Sequence, residues 1–339
     1  MWNQMTYDSI ATHVLRLKDY RASLWQTVLR PLHFIIYHAY TLFLFTYSDF
    51  KTIVIPSTIF GLFNSLATTA YGLDDDTPIT FFLLLKRMLS TLLWVMLVFI
   101  PFAINNQRTP SAIAEDAINK PWRPIPQKRI SATEALCFMC FFAFLVQIHG
   151  RIHNGLGYRQ SSLLLVLNIW YNNLGGADKN PVIRNGINTL GYLCFLSGAL
   201  EVALEKRIPF FLHIFLGHTG YRLDQWLLII AGVLFSTVHL QDLYDQEGDA
   251  VRGRRTLPLV IGDGPARWTV AIPMLFWGVA CPSFWGLRGG LFSLSLGLAC
   301  LIAWRVLTVR HEEGDRATFF LWNCWISMIY IMPLIAEWR

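Results

Sequence analysis

Residues 226–258 read "WLLIIAGVLFSTVHLQDLYDQEGDAVRGRRTLP". The first fifteen, Trp226 to Leu240, contain no Asp, Glu, Lys or Arg. The next nine then present Asp242, Asp245, Glu247 and Asp249, and Arg252, Arg254 and Arg255 follow at once. An uncharged apolar helix that ends in packed acids and then packed bases is the pattern of a membrane span that delivers a polar site to the edge of the bilayer.

The composition agrees. Of 339 residues, 54% are hydrophobic and only 15% charged, with a mean hydropathy of +0.41, whereas an ordinary soluble domain carries about 25% charged residues. A bilayer-crossing helix needs about 20 mostly apolar residues. Candidate spans fall near 51–71, 81–106, 132–149, 160–174, 183–204, 225–242, 267–286, 289–308 and 317–337, the fourth being short for a full crossing. Lipid offers the backbone no hydrogen-bond partners, so these spans must be helical and strands are excluded.

The expected fold is an all-α integral membrane protein, a bundle of about nine transmembrane helices over residues 49–339. Residues 1–48 read as a cytoplasmic, interfacial segment, with a tenth span as the alternative, because Arg30, His33, Tyr37, His38 and Tyr40 interrupt the apolar face of "LWQTVLRPLHFIIYHAYTLFLF" at 24–45. No cleavable leader precedes it, since the first twenty-odd residues are polar and mixed in charge. The pair Cys137 and Cys140 lies inside "ALCFMCFFAFL", where zinc would lack further ligands, so both read as core residues.

With nine spans, 19 of the 28 lysines and arginines fall on the side shared by the amino end and the loops after the second, fourth, sixth and eighth spans. The positive-inside tendency makes that side cytoplasmic. Asp74, Asp75 and Asp76 fall in a loop on the other side and read as exposed. Glu201 and Glu205 read as a solvated helix end, and His149 and His153 as an interfacial pair without a partner acid.

Asp242, Asp245 and Asp249 are spaced three and four apart, which on one helix stacks them on a single face. Stacked carboxylates repel unless something positive neutralises them, and clustered hard oxygen ligands suit Mg²⁺, which is commonly held by one or two carboxylates plus substrate phosphates. A second stretch, "NNQRTPSAIAEDAINKPWRPIPQKR" at 105–129, repeats the order of acids and then bases: Glu115 and Asp116, then Lys120, Arg123, Lys128 and Arg129. Pro121, Pro124 and Pro126 forbid a continuing helix there. Acids, a divalent metal and bases together make a cradle for diphosphate.

These stretches resemble the two Asp-rich motifs of the UbiA superfamily of intramembrane prenyltransferases. "DLYDQEGDAVRGRRTLP" is similar to the second motif, DxxDxxGD followed by GRxTLP. "NQRTPSAIAEDAINKPWRPIP" is similar to the first, NDxxDxxxD with a basic tail, but has Gln107 and Pro110 where acids are expected and shifts its acids to Glu115 and Asp116. That form resembles the fungal branch containing membrane-bound terpene cyclases.

The resemblance implies a central cavity and a metal site drawn from Asn106, Glu115, Asp116, Asp242, Asp245 and Asp249, all but Glu115 also being catalytic candidates. It implies diphosphate binding by Lys120, Arg123, Lys179, Arg252 and Arg255, and Mg²⁺ as cofactor. The implied reaction is ionisation of farnesyl or geranylgeranyl diphosphate and cyclisation of the cation, or else transfer of the prenyl group to an aromatic or lipid acceptor. The expected partners are that substrate and a lipid bilayer, with the endoplasmic reticulum as the expected membrane; no nucleic acid and no protein partner is implied. Aromatic residues able to steady a cation are plentiful: Phe138, Phe141, Phe142, Trp170, Tyr171, Phe319, Phe320, Trp322, Trp325 and Tyr330.

Overall fold

A computed structural model describes residues 25–73, 77–210 and 222–338, and among them every regular element is helical. In chain order the helices are α1 (Arg30–Thr46), α2 (Ile55–Asn64), α3 (Phe81–Arg108), α4 (Pro110–Asn119), α5 (Ala132–Ile152), α6 (Tyr158–Asn172), α7 (Pro181–Leu204), α8 (Arg222–Thr237), α9 (Gln246–Arg252), α10 (Leu257–Ile261), α11 (Asp263–Phe284), α12 (Gly290–Thr308) and α13 (Glu312–Glu337). A π-helical turn, Phe50–Val54, leads into α2, and a 3₁₀ segment, Val238–Leu243, extends α8.

The boundaries follow local chemistry. Thr80 accepts a hydrogen bond from the Leu83 amide at the start of α3, and Ser131 with Glu134 closes a reciprocal cap on α5. Thr109 ends α3 in an extended conformation and caps α4, whose first residue, Pro110, needs no amide partner. That break turns the chain sharply between Arg108 and Pro110.

Among the described residues, six segments are long and apolar enough to cross a bilayer: Phe81–Arg108, Ala132–Ile152, Pro181–Leu204, Arg222–Leu243, Gly290–Thr308 and Glu312–Glu337. The other three expected spans are helical too but fall short in length or apolarity. The 51–71 segment is the most altered, since α2 stops at Asn64. The 160–174 segment is the fifteen-residue α6. α1 is helical as expected, with Phe34, Ile35, Ile36 and Tyr40 exposed along it.

The centre of the bundle is α7, the most buried of the six, packed against α2, α3, α6 and α8. Small residues let the backbones approach: a Cβ on Gly61 would lie 2.8 Å from the Ala199 carbonyl oxygen of α7, and one on Gly198 would collide with the ring of buried Trp94. Replacing a buried tryptophan such as Trp94 by alanine costs about 3–5 kcal/mol. By contrast α5 is the least buried span, and Cys137 and Cys140 are exposed on it. The expectation that they are core residues is therefore corrected: an apolar face on a peripheral helix suits lipid as well as it suits a core.

Candidate active site

The two charged stretches come together. Helices α4 and α9 pack on each other, and Asn119 at the end of α4 pins them: its Nδ2 donates to the Asp245 carbonyl (3.1 Å) and its Oδ1 accepts from the Gly248 amide (3.2 Å). A Cβ on Gly248 would overlap the Asn119 amide, which is why only glycine fits at that point. The three aspartates do not share one α-helix, as their spacing suggested. The chain tightens to 3₁₀ through Asp242, breaks at Tyr244, and restarts as α9 with Asp245 as its N-cap and Asp249 within it. The break gives each acid its own cation instead of stacking like charges.

Those pairings are short and buried. Arg184 of α7 donates to Asp242 (2.8 Å) and to the Tyr171 hydroxyl (2.7 Å). Lys120 meets Asp245 at 3.1 Å and Arg123 meets Asp116 at 2.6 Å. Arg254 lies at the junction of the two motifs: it donates to Asp249 (3.0 Å) and to Glu115 (2.8 Å), contacts Asp178 (3.1 Å), and reaches Asn106 at 3.3 Å. Arg252 completes the group through Glu115 (2.9 Å) and Asp178 (3.3 Å).

Burial alone would raise the Glu115 carboxyl, but Arg254 and Arg252 hold it down to about 2. Burial raises Asp116 against the pull of Arg123, and raises Asp249 to about 6 against Arg184 and Arg254.

Of the residues nominated from sequence, Asn106, Glu115, Asp116, Lys120, Arg123, Asp242, Asp245, Asp249 and Arg252 are gathered here. Lys179 and Arg255 are not: both side chains are exposed, Lys179 folding back over Gly175 and Arg255 offering only its amide, to the Asp178 carbonyl at 2.7 Å. The residue that sequence reasoning passed over is Arg254. Gly253 adopts φ +79°, ends α9 and turns the chain, so that Arg254 enters the cluster while Arg255 stays outside. The fold also makes partners of Arg184, Asp178 and Tyr171.

Whether these donors fit a divalent metal can be tested on the pairings. Among the described residues, no three His, Cys, Asp or Glu side chains converge as a ready-made metal cage. Yet Asp116 Oδ2, Asp242 Oδ2, Asp245 Oδ1 and Asp249 Oδ2 are all buried without a hydrogen-bond partner. A buried acceptor left unsatisfied costs about 1–3 kcal/mol, and more when charged. Four half-satisfied carboxylates in one basin suit Mg²⁺ that arrives with a phosphate ligand and needs only one or two protein carboxylates.

Beside this basin lies a cavity of ≈ 90 Å³ lined by Ile53, Phe99, Phe102, Leu164, Leu167, Tyr171, Ile187, Tyr192, Phe195 and Val238, with Asp49, Thr52, Asn106, Asn188 and Gln241 as its polar members. Of the aromatic residues singled out from sequence only Tyr171 lines it. Phe141, Trp170 and Phe320 are exposed, while Phe319, Trp322, Trp325 and Tyr330 are buried in the helix packing. The other rings that line it, Phe99, Phe102, Tyr192 and Phe195, sit on α3 and α7.

One reading away from the basin changes. Glu201 is not a solvated terminus but wholly buried, paired with Arg159 and accepting from the Gly157 amide at 2.9 Å. Glu205 is exposed and meets Lys86 at 2.7 Å. The His149 and His153 rings lie 4.3 Å apart, and Asp74 to Asp76 lie outside the described residues.

Comparison with known proteins places this geometry. The profile of the UbiA prenyltransferase family matches residues 85–325. The fumagillin beta-trans-bergamotene synthase of Aspergillus fumigatus is 27% identical over 88% of this chain and 93% of its own. A polyprenyl transferase of Hericium erinaceus is also 27% identical, over 86% of this chain and 93% of its own. The structure of a UbiA homolog from Archaeoglobus fulgidus, solved bound to DMAPP and Mg²⁺, superposes with a TM-score of 0.53 at 12% identity, covering 85% of this chain and 98% of that one; the likeness is one of fold.

Proposed function

The chain belongs to the UbiA prenyltransferase family, and on that premise we propose that it is a membrane-bound terpene cyclase which ionises an allylic isoprenoid diphosphate, farnesyl or geranylgeranyl, and cyclises the resulting cation. The observation that carries this reading is the set of four buried, half-satisfied aspartates at the edge of a largely apolar, aromatic-lined cavity. The near full-length similarity to a bergamotene synthase supports it.

Arg184, Arg252 and Arg254, with Lys120 and Arg123, would receive the diphosphate, each already aimed into the basin by a carboxylate partner. Mg²⁺, held by Asp242, Asp245, Asp249, Asp116 and the Asn106 amide, would supply charge neutralisation to the departing diphosphate. Glu115, whose two oxygens are both taken by arginines, would position Arg252 and Arg254 instead of binding metal. Charge stabilisation of a leaving group is often the largest single catalytic contribution, several kcal/mol for each well-placed donor. The C–O bond breaks with its electron pair going to diphosphate, and the allylic cation is left facing the cavity. Phe99, Phe102 and Phe195 keep water out, and each ring face steadies a nearby cation by about 0.5–2 kcal/mol. Double bonds of the same chain then capture it.

The excess of Lys and Arg in the loops that carry the two motifs supports a basin at the cytoplasmic face, with the endoplasmic reticulum as the proposed membrane. The second reading, prenyl transfer to an aromatic or lipid acceptor, is favoured by the equal identity to a polyprenyl transferase. One experiment separates them: membranes carrying the protein are incubated with Mg²⁺ and a single allylic diphosphate, with no acceptor added. A cyclic hydrocarbon by gas chromatography is the expected result. Product only upon adding an acceptor overturns the cyclase in favour of the transferase.

A further inference from the structure

Of the acids of the two motifs, Glu115, Asp116, Asp242, Asp245 and Asp249 lie in the ion-paired basin and Glu247 is exposed; none of them is among the described residues that line the apolar cavity. One acid does. Among the described residues, Asp49 is the single Asp or Glu that bounds that cavity. It belongs to neither motif and precedes α2, in a stretch without a sequence signal of its own.

Its surroundings hold it at a border. Oδ2 accepts a hydrogen bond from Ser48 Oγ (2.9 Å), and the same oxygen faces Arg123 Nη2 at 3.8 Å. Arg123 belongs to the basin through Asp116 and also donates to Ser48 at 2.9 Å. Oδ1 has no partner among the described residues, and the side chain keeps 26% of its surface accessible. Asp49 therefore stands between the cations that would hold a diphosphate and the rings that would enclose the hydrocarbon. The remaining polar lining residues, Thr52, Asn106, Asn188, Gln241 and the two tyrosines, cannot take up a proton at neutral pH as a carboxylate can.

Cyclisation to a hydrocarbon must end with loss of a proton, and a positioned base in the cavity decides which C–H bond gives it up. We propose that Asp49 is that terminal base, an inference that rests on the cyclase reading of the site. The C–H bond beside the cationic carbon breaks and its electron pair becomes the new C=C bond. The proton passes to Asp49 Oδ1, and from there to the released diphosphate, so the enzyme is restored without any co-reactant. Ser48 fixes the carboxylate through its other oxygen, which also faces Arg123.

The test is the amount of hydrocarbon formed per diphosphate released, with the hydrocarbons and alcohols resolved by gas chromatography. Asp49→Asn keeps size and the acceptor for Ser48 but removes the base. The ratio is expected to fall by about 10²-fold or more, in line with the usual size of general-base catalysis, with alcohols from water capture in its place. Asp49→Glu is expected to restore the ratio while moving the double bond, because the carboxylate is displaced by one methylene. An unchanged ratio in Asp49→Asn, including the case where release and hydrocarbon fall together, overturns the proposal and leaves diphosphate itself as the proton acceptor. If Asp49→Asn does not elute as a single species in detergent, Asp49→Glu decides alone: a wild-type double-bond pattern overturns the proposal. A wild-type protein that makes no hydrocarbon without acceptor sinks the cyclase reading first, a result distinct from any of these.

Discussion

Two regions of this bundle bury carboxylates, and they bury them differently. Glu201, on α7, is saturated: Oε2 accepts from the Gly157 amide, and Oε1 from Arg159 and, at 3.3 Å, from the Ile208 amide. In the motif basin, Asp116, Asp242, Asp245 and Asp249 each have one oxygen paired and one left bare. A saturated buried acid holds chain segments together. A half-saturated one carries an energetic cost that only a further cation removes, so it marks where a ligand belongs.

The sharpest way to break this comparison is to neutralise acids on one side at a time. Asp242→Asn combined with Asp249→Asn keeps an acceptor for Arg184 and Arg254, so the fold should survive while diphosphate release falls by about 10³-fold or more. A double variant that turns over normally would end the metal assignment. Glu201→Ala should do the reverse. It strips a wholly buried acid from three donors and should cost about 3–5 kcal/mol of stability, read as a lower melting temperature in detergent, while the protein that remains folded keeps its turnover. Loss of turnover in folded Glu201→Ala would blur the distinction.

A smaller effect is expected at the joint between the motifs. Gly248→Ala pushes a methyl group into the Asn119 amide, an overpacking worth about 1–3 kcal/mol. Since Asn119 ties α4 to α9, KM for the diphosphate should rise more than turnover falls. Adding Asn119→Ala relieves the clash but removes the tie, so it should recover stability without recovering KM. Recovery of both would show that the tie is dispensable.

Much of this was legible in the letters, and the misses have physical causes. Spans were readable because lipid forces apolar, helical runs, and α3, α7 and α13 came out within a few residues of their expected limits except at the polar start of α13. The 51–71 span was not, since composition does not reveal that α2 ends at Asn64 in a side chain bonded to its own helix and to the Tyr330 carbonyl. Motif acids were readable as a set because like charges at helical spacing demand a counter-charge. Which base serves which acid was not: the choice of Arg254 over Arg255 turns on the left-handed Gly253, and that of Arg184 on the way α7 is placed against the 3₁₀ turn. Glu201 was misread because "EKR" after an apolar run looks the same whether the helix end meets water or a neighbouring loop. Asp49 was missed because a single acid between two aromatic stretches carries no periodic signal at all.

The weakest effect separates the two kinds of acid by pH. Asp249 is raised from its ordinary value to about 6, first by burial and against the attraction of Arg184 and Arg254. A folded-state value above the unfolded one means that folding takes up a proton. Its stabilising contribution is therefore complete below the unfolded value and is lost as pH rises through about 6. Metal binding must expel the same proton, so binding of Mg²⁺ with pyrophosphate should strengthen by up to about tenfold per pH unit below 6 and level off above it. Glu115 runs the other way, held down to about 2, and stays ionised throughout this range. Melting temperatures taken from about pH 5 to pH 8, with and without Mg²⁺ and pyrophosphate, should diverge as pH rises, the bound form gaining while the free form loses. Asp249→Asn shares every titration of the ligand and lacks only this carboxyl, so it should flatten the divergence. A variant that diverges as steeply as the wild type would place the proton on another group and leave Asp249 no different in kind from Glu201.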